Sequence, residues 1–415
     1  METITLEREH KAASVETRAG KGLPPALWAL TISAFAIGTT EFVAVGILPT
    51  IAGSLKVSIS SSGLLVSMYA LGVALGGPVL TALTTRLPRK PLLLGLMVLF
   101  IAGHIASAAA PDFTALLIAR FITGFAHAVF FGVGATIAAA LVPADKRATA
   151  LSIMFAGLTI AIIAGVPLGT FIGQHFGWRS TFIGVAILGA VSFIALLLLM
   201  PGDIKNGPVL RMKDQLQVLR NWHILLVLAI TALGYGGTFV AFTYLATLLE
   251  KVTGFSSNAV SLLLLVYGVA IALGNVIGGK VANTNPARVL IRIFLLQAVV
   301  LVIFTFTAHY KIPAVITLFL MGGLSFANVP GLQLYIVQLA EKYLPGTEDI
   351  ASALNIAAFN LGVAIGSWVG GLVVEQATLG LPATPWIGAL IVSLGAMLTV
   401  WSYRSNRPAT TTTII

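Results

Sequence analysis

The segment Tyr69-Ala-Leu-Gly-Val-Ala-Leu-Gly76 returns 198 residues later as Tyr267-Gly-Val-Ala-Ile-Ala-Leu-Gly274. Each copy lies inside an apolar run, at about 63–85 and about 258–282. Runs of ~20 apolar residues cross ~30 Å of hydrocarbon as helices, so both copies read as parts of membrane spans. Two further pairs keep nearly the same offset. Gly165, Gly169 and Gly173 match Gly362, Gly366 and Gly370 at 197, and Lys56-Val-Ser-Ile-Ser-Ser-Ser62 echoes Lys251-Val-Thr-Gly-Phe-Ser-Ser-Asn258 at 195 to 196. Three matches at almost one spacing indicate a duplicated unit.

Counting outward from these copies gives twelve apolar runs, at about 26–50, 63–85, 91–110, 114–142, 148–175, 180–200, 222–249, 258–282, 287–309, 313–339, 350–374 and 384–403. The fold expected is an all-α membrane protein of two pseudo-symmetric six-helix bundles. Its parts are a tail (1–25), a first bundle (26–200), a linker (201–221), a second bundle (222–404) and a tail (405–415). Composition agrees: of 415 residues 58% are hydrophobic and only 9% charged, with mean hydropathy +0.99, whereas soluble proteins carry ~25% charge. No water-soluble globule hides so much apolar surface, and disorder needs the opposite balance. Barrel strands would alternate apolar with polar, and these runs do not. Spanning helices tolerate the 42 glycines and 18 prolines where neighbours re-satisfy the backbone.

The net charge of +10 is distributed unevenly. The tails and the even-numbered connections, with the span ends beside them, hold 19 of the 24 Lys and Arg; the odd connections hold Lys56, Arg179, Lys251 and Lys311. By the positive-inside rule both termini are expected in the cytoplasm, and the chain in the inner (plasma) membrane. The basic balance thus orients the chain, and no nucleic-acid partner is expected. With no cysteine, disulfides and thiolate metal sites are excluded. Residues 1–22 read as an uncleaved tail, and the protein is expected to act as a monomer in the lipid bilayer.

In the linker, Met212, Leu216 and Leu219 recur at i, i+4 and i+7, the pattern of an amphipathic helix on the membrane surface. The glycine stripes of spans five and eleven allow close helix packing and are expected at the seam between the halves. Pro330 and Gly331 are expected to interrupt span ten at mid-depth.

Two fixed charges fall deep inside spans, Glu41 in the first and Arg120 in the fourth. Each costs roughly 2.5–3.5 kcal/mol to insert at a helix centre, so such groups usually face a wet cavity or one another. Arg120, Gly124 and His127 lie at i, i+4 and i+7 and share one helix face. His127 is therefore a second candidate proton site; His104 lacks such company and reads as structural. Further polar or aromatic groups sit where a substrate cavity needs them: Tyr69, Tyr235, Thr238, Phe242, Tyr244, Asn328, Gln333, Gln338, Asn355 and Asn360.

Gly274-Asn-Val-Ile-Gly-Gly-Lys280 imitates a phosphate loop, but Val281 replaces the Ser or Thr that would hold magnesium. No ATP chemistry, metal site, cofactor or nucleophile-and-base set is indicated, so the chain does not read as an enzyme. Uphill movement of a small molecule would then draw on an ion gradient.

These features resemble the major facilitator superfamily over about 26–404. Gly38-Thr-Thr-Glu-Phe-Val-Ala-Val-Gly-Ile-Leu-Pro-Thr-Ile-Ala52 looks like the opening signature of drug:proton antiporter-1 transporters of the arabinose-efflux and sugar-efflux permease type. Arg120-Phe-Ile-Thr-Gly124 is similar to the superfamily's fourth-helix motif, which by resemblance implies proton coupling. Gly157 to Gly173 with Pro167 resembles the fifth-helix antiporter motif, and Gly177-Trp178-Arg179 fits the turn into span six. One departure follows span two: Thr85 and Pro88 stand where the family has Asp and Gly, leaving Arg86, Arg89 and Lys90 as the gating residues.

The resemblance implies proton-coupled efflux by alternating access, with protons on Glu41 or His127 and a sugar or drug-like amphiphile as substrate. Proton-linked uptake of a sugar or nucleoside would use the same parts. A sensor would want a soluble output domain, and none is evident in the sequence.

Overall fold

A computed structural model describes residues 23–84, 86–143, 146–202, 204 and 212–406. Twelve helices in it are long and apolar enough to cross a membrane: Pro25–Leu55, Ile59–Leu80, Arg89–Ala109, Phe113–Ala140, Thr149–Phe176, Trp178–Leu199, Trp222–Lys251, Ser257–Ala282, Pro286–Thr307, Lys311–Tyr343, Glu348–Glu375 and Gly380–Ser405. They are called spans one to twelve. Residues 23 and 406 mark the proximal end of the molecule, and the opposite end is called distal.

Helix starts follow local chemistry. Asp112, Asn221, Ser256 and Asn285 each cap a helix by accepting a backbone N–H, which satisfies donors that the first turn leaves orphaned. Gly177, at φ +84°, turns the chain from span five into span six through a conformation that other residues adopt only under strain. Span five carries a π-helical turn at Ala161–Gly165, just before Pro167, whose missing N–H leaves the regular ladder incomplete.

The glycine stripes pack inside each bundle and not at the seam expected from sequence. Side chains at Gly165, Gly169 and Gly173 would overlap Thr39, Val43 and Ile47 of span one; at Gly362, Gly366 and Gly370 they would overlap Ala232, Gly236 and Val240 of span seven. A small-residue stripe describes the shape of one face and not the partner that fills it. The partner is the equivalent helix of the same repeat, span one for span five and span seven for span eleven.

Span ten is also a correction. It runs unbroken from Lys311 to Tyr343 with Pro330 inside it. Packing on both sides tolerates the lost backbone bond, and the Asn328 amide reinforces the preceding turn by donating to Ser325 O at 3.1 Å. The interruption falls instead in span seven, where the helix Trp222–Phe242 gives way to a turn before Leu245–Lys251.

In the linker a helix forms over Met212–Leu219. Its inward face carries Gln215 and Val218, which are buried, while Leu216 is 55% exposed. Gln215 donates its amide to Pro78 O of span two at 3.1 Å. Residues 205–211, and both chain tails beyond residues 23 and 406, lie outside the described residues.

The two bundles meet most tightly at the distal end. All three side-chain hydrogen bonds between them, among the described residues, lie there. Ser60 Oγ donates to Glu375 at 3.5 Å, Tyr244 donates to Ser60 O at 3.4 Å, and Ser261 donates to Gln174 at 2.9 Å.

Candidate functional site

Span one places Thr39, Thr40 and Glu41 side by side near the middle of a 31-residue helix. Glu41 is partly exposed and has no hydrogen-bond partner among the described residues. It lies within electrostatic reach of Tyr69 and Arg120 in its own bundle and of Tyr235 in the other. The carboxylate therefore faces the interior seam between the halves and not the lipid.

Arg120 is fully buried, and no carboxylate comes within ion-pair distance of it among the described residues. Its guanidinium donates to Thr40 Oγ1 at 2.8 Å and to Thr40 O at 3.1 Å. It lies 4.1 Å from the centre of the Tyr69 ring, with Phe182 at 5.9 Å, an arrangement in which the ring face stabilises the cation. Arg120 Nε, also buried, has no partner.

Thr40 carries the network on to a residue the sequence reading set aside. Thr40 Oγ1 is 2.6 Å from His104 Nε2, and His104 Nδ1 is 2.7 Å from Phe100 O. A carbonyl accepts only, so Nδ1 bears the hydrogen. Arg120 donates only, so the hydroxyl hydrogen of Thr40 is free to point at Nε2. His104 thereby holds the hydroxyl that accepts from Arg120 and fixes its orientation. The sequence signal for it was the polar trio Thr39-Thr40-Glu41 in an apolar helix, which needs partners from other spans.

His127 joins the same cluster through Tyr69, whose hydroxyl is 3.0 Å from its Nδ1. Arg120 and His127, one face of span four, thus both meet Tyr69 of span two.

The second bundle contributes amides and rings. Gln297 of span nine, absent from the sequence-derived set, donates to Thr238 and accepts from Asn328 at 3.1 Å. Its signal was one amide in an apolar run. Asn355 accepts from Thr231 at 2.7 Å and donates to Gln333 at 2.8 Å, and Gln333 reaches Ser352. Asn360 bonds only its own helix, at Ile356 O, 3.1 Å. The carbonyl oxygens of Asn328 and Asn360 are buried without partners, a costly arrangement that a ligand donor would relieve.

Aromatic rings of both bundles meet across the seam beside Glu41. Phe42 meets Phe242 at 6.3 Å and Phe326 at 6.0 Å, both edge-on. Tyr235 meets Phe326 at 5.5 Å and Phe359 at 4.9 Å, and Phe242 stacks on Tyr267 at 5.0 Å. Tyr244 stands apart in the distal contact, and Gln338 is exposed.

The remaining sequence-derived gating residues lie elsewhere. Arg86 is exposed and Arg89 buried. Lys90 caps the end of span six by donating to Leu197 O at 2.8 Å and Met200 O at 2.7 Å, a contact within the first bundle. Thr85 is outside the described residues.

Residues 30–348 match the model of the Major Facilitator Superfamily. The chain is 53% identical over 386 residues to the MFS-type transporter YtbD of Bacillus subtilis, itself uncharacterized, covering 93% of this chain and 97% of that one. It is 39% identical to the inner membrane transport protein YdhP of Escherichia coli K12, covering 91% and 96%. Among solved structures, a D-xylose-proton symporter superposes with TM-score 0.73 at 17% identity, covering 90% and 96%. A bacterial homologue of the lysosomal transporter Spinster, in an inward-facing state, gives 0.72 at 18%, covering 92% and 96%.

Proposed function

This chain belongs to the Major Facilitator Superfamily and is a membrane transporter, and from that premise we propose that it exports a small organic molecule in exchange for protons. The observation that carries the reading is Glu41: an acid near mid-span, turned to the seam, free of hydrogen bonds among the described residues, beside an arginine bound to other groups. A carboxylate locked in an ion pair would exchange protons poorly; this one is available.

The proposed cycle is alternating access about the seam. The distal end, assigned to the outside by the distribution of Lys and Arg, is held shut by Ser60, Tyr244, Gln174, Ser261 and Glu375. Substrate enters from the cytoplasm and meets the rings of Phe42, Tyr235, Phe242 and Phe326 and the amides of Asn328 and Asn360. Opening of the distal end releases it and admits a proton to Glu41. One charge moving down 100 mV supplies ~2.3 kcal/mol, which sustains a gradient of roughly 50-fold. The likeness to efflux permeases in Gly38–Ala52 favours export. Amphiphiles with an aromatic or sugar-like body and a hydrogen-bond donor suit the lining.

The test is a compound panel applied to inverted vesicles with an acidified lumen. A substrate is expected to accumulate inside and to raise the lumenal pH as protons leave. Accumulation in right-side-out vesicles, driven by an inward proton gradient, would replace export with uptake.

A further inference from the structure

The outer face of spans nine and twelve carries a groove of about 400 Å3, lined by Ile291, Leu295, Ser393, Met397, Trp401 and Arg404 among others. None of its lining residues belongs to the seam cluster around Glu41, and nothing in the transport cycle uses it. Leu295, Met397 and Trp401 are each more than half exposed, so the groove opens toward the hydrocarbon. At its proximal end the chemistry changes abruptly. Arg404 forms part of the lining, and Arg288 shares the face of Ile291 and Leu295, at i, i+3 and i+7. Arg292 follows one turn on, and all three arginines are exposed. None has a carboxylate within ion-pair distance among the described residues. The Nε of Arg288 donates to the Tyr403 hydroxyl at 2.5 Å, with the Tyr403 ring 5.4 Å from its guanidinium carbon. This holds the guanidinium in place and leaves its two terminal nitrogens for another acceptor.

A second observation sets the depth of this end. Trp222 and Trp401 pair at 5.5 Å with both rings partly exposed, and tryptophans of this kind sit at the headgroup level of a bilayer. The arginines therefore lie at the level of phosphates and the groove at the level of acyl chains.

We infer that this groove is a binding site for one acidic phospholipid of the proximal leaflet. Its phosphate is held by Arg288 and Arg404 and one acyl chain lies along Leu295 and Met397. Basic pockets between spanning helices bind acidic headgroups by this combination of charge and apolar contact. The site is independent of what the protein transports.

The experiment titrates the purified full chain in detergent with phosphatidylglycerol, phosphatidylcholine and inorganic phosphate, and counts bound molecules by native mass spectrometry. Phosphatidylglycerol is expected to bind more tightly than phosphatidylcholine, with no retention of free phosphate. Arg288→Gln and Arg404→Gln should each weaken phosphatidylglycerol binding about fivefold, and the double variant about 25-fold, with phosphatidylcholine unchanged. Leu295→Trp, which fills the groove and leaves the charges, should also lower it, whereas Lys311→Gln at the distal end should not. Equal binding of the two lipids, retention of free phosphate by the wild type, or a double variant within twofold of the wild type would overturn the assignment.

Discussion

The Tyr69 hydroxyl sits 3.0 Å from Nδ1 of His127, and the duplication repeats the relationship with both partners moved by 198 residues: Tyr267 meets Ser325 at 3.2 Å. The frame is common to the halves but the chemistry has diverged. Leu318 stands 198 residues after Arg120, and Thr238 stands 197 after Glu41. Charge and imidazole are kept in the first bundle, while the second offers amides and hydroxyls. We read the first as the proton-handling half and the second as a wall for substrate.

That asymmetry separates two otherwise equivalent variants. Tyr69→Phe and Tyr267→Phe each remove one hydrogen bond, worth ~1 kcal/mol, and thermal unfolding in detergent should show similar small losses. Only Tyr69→Phe is expected to change the pH profile of transport. Identical profiles for the two would count against the division of labour.

Thr40 is the joint between Arg120 and His104. Thr40→Val keeps the shape but strands a buried guanidinium hydrogen and an imidazole nitrogen, which should cost ~2–3 kcal/mol. Thr40→Ser should recover most of it. Unfolding temperatures of the two variants, compared with wild type, decide the matter; equal values would mean that the network contributes little.

Glycines of the stripes differ sharply from glycines elsewhere. A side chain at Gly362 would strike the backbone of Ala232, whereas one at Gly184 meets nothing within 4 Å. Gly362→Val is therefore expected to lose more than ~3 kcal/mol, since backbone yields less readily than the side chains behind typical overpacking costs. Gly184→Ala should be neutral or stabilising by up to ~1 kcal/mol. The yield of monodisperse protein provides the comparison.

The distal contact is open to a direct trap because the chain has no cysteine. A Cβ built on Gly371 would come 3.2 Å from Ser60 Oγ. The double variant Ser60→Cys with Gly371→Cys should cross-link on mild oxidation, stop transport, and recover on reduction. Transport that continued through the cross-linked protein would show that this end does not need to open.

The twelve spans were legible because each is a long apolar run, and the duplication was legible because three motifs share an offset. Packing partners were not. The glycine stripes announced close approach but gave no hint that span one fills the first and span seven the second. Pro330 suggested a break by its chemistry alone, and the neighbours that compensate it come from other spans. Gln297 escaped notice and His104 read as structural with no partner named, for the same reason: each is one polar residue in an apolar run, and its partner, Thr238 or Thr40, lies 59 or 64 residues away.

The central claim is that Glu41 carries the coupled proton. Its most direct measurement compares wild type with Glu41→Gln in proteoliposomes, following flux of an identified substrate with and without a proton gradient. The account predicts that Glu41→Gln still exchanges labelled for unlabelled substrate across the membrane but no longer accumulates it when the gradient is imposed. Gradient-driven accumulation by Glu41→Gln at the wild-type level would contradict it.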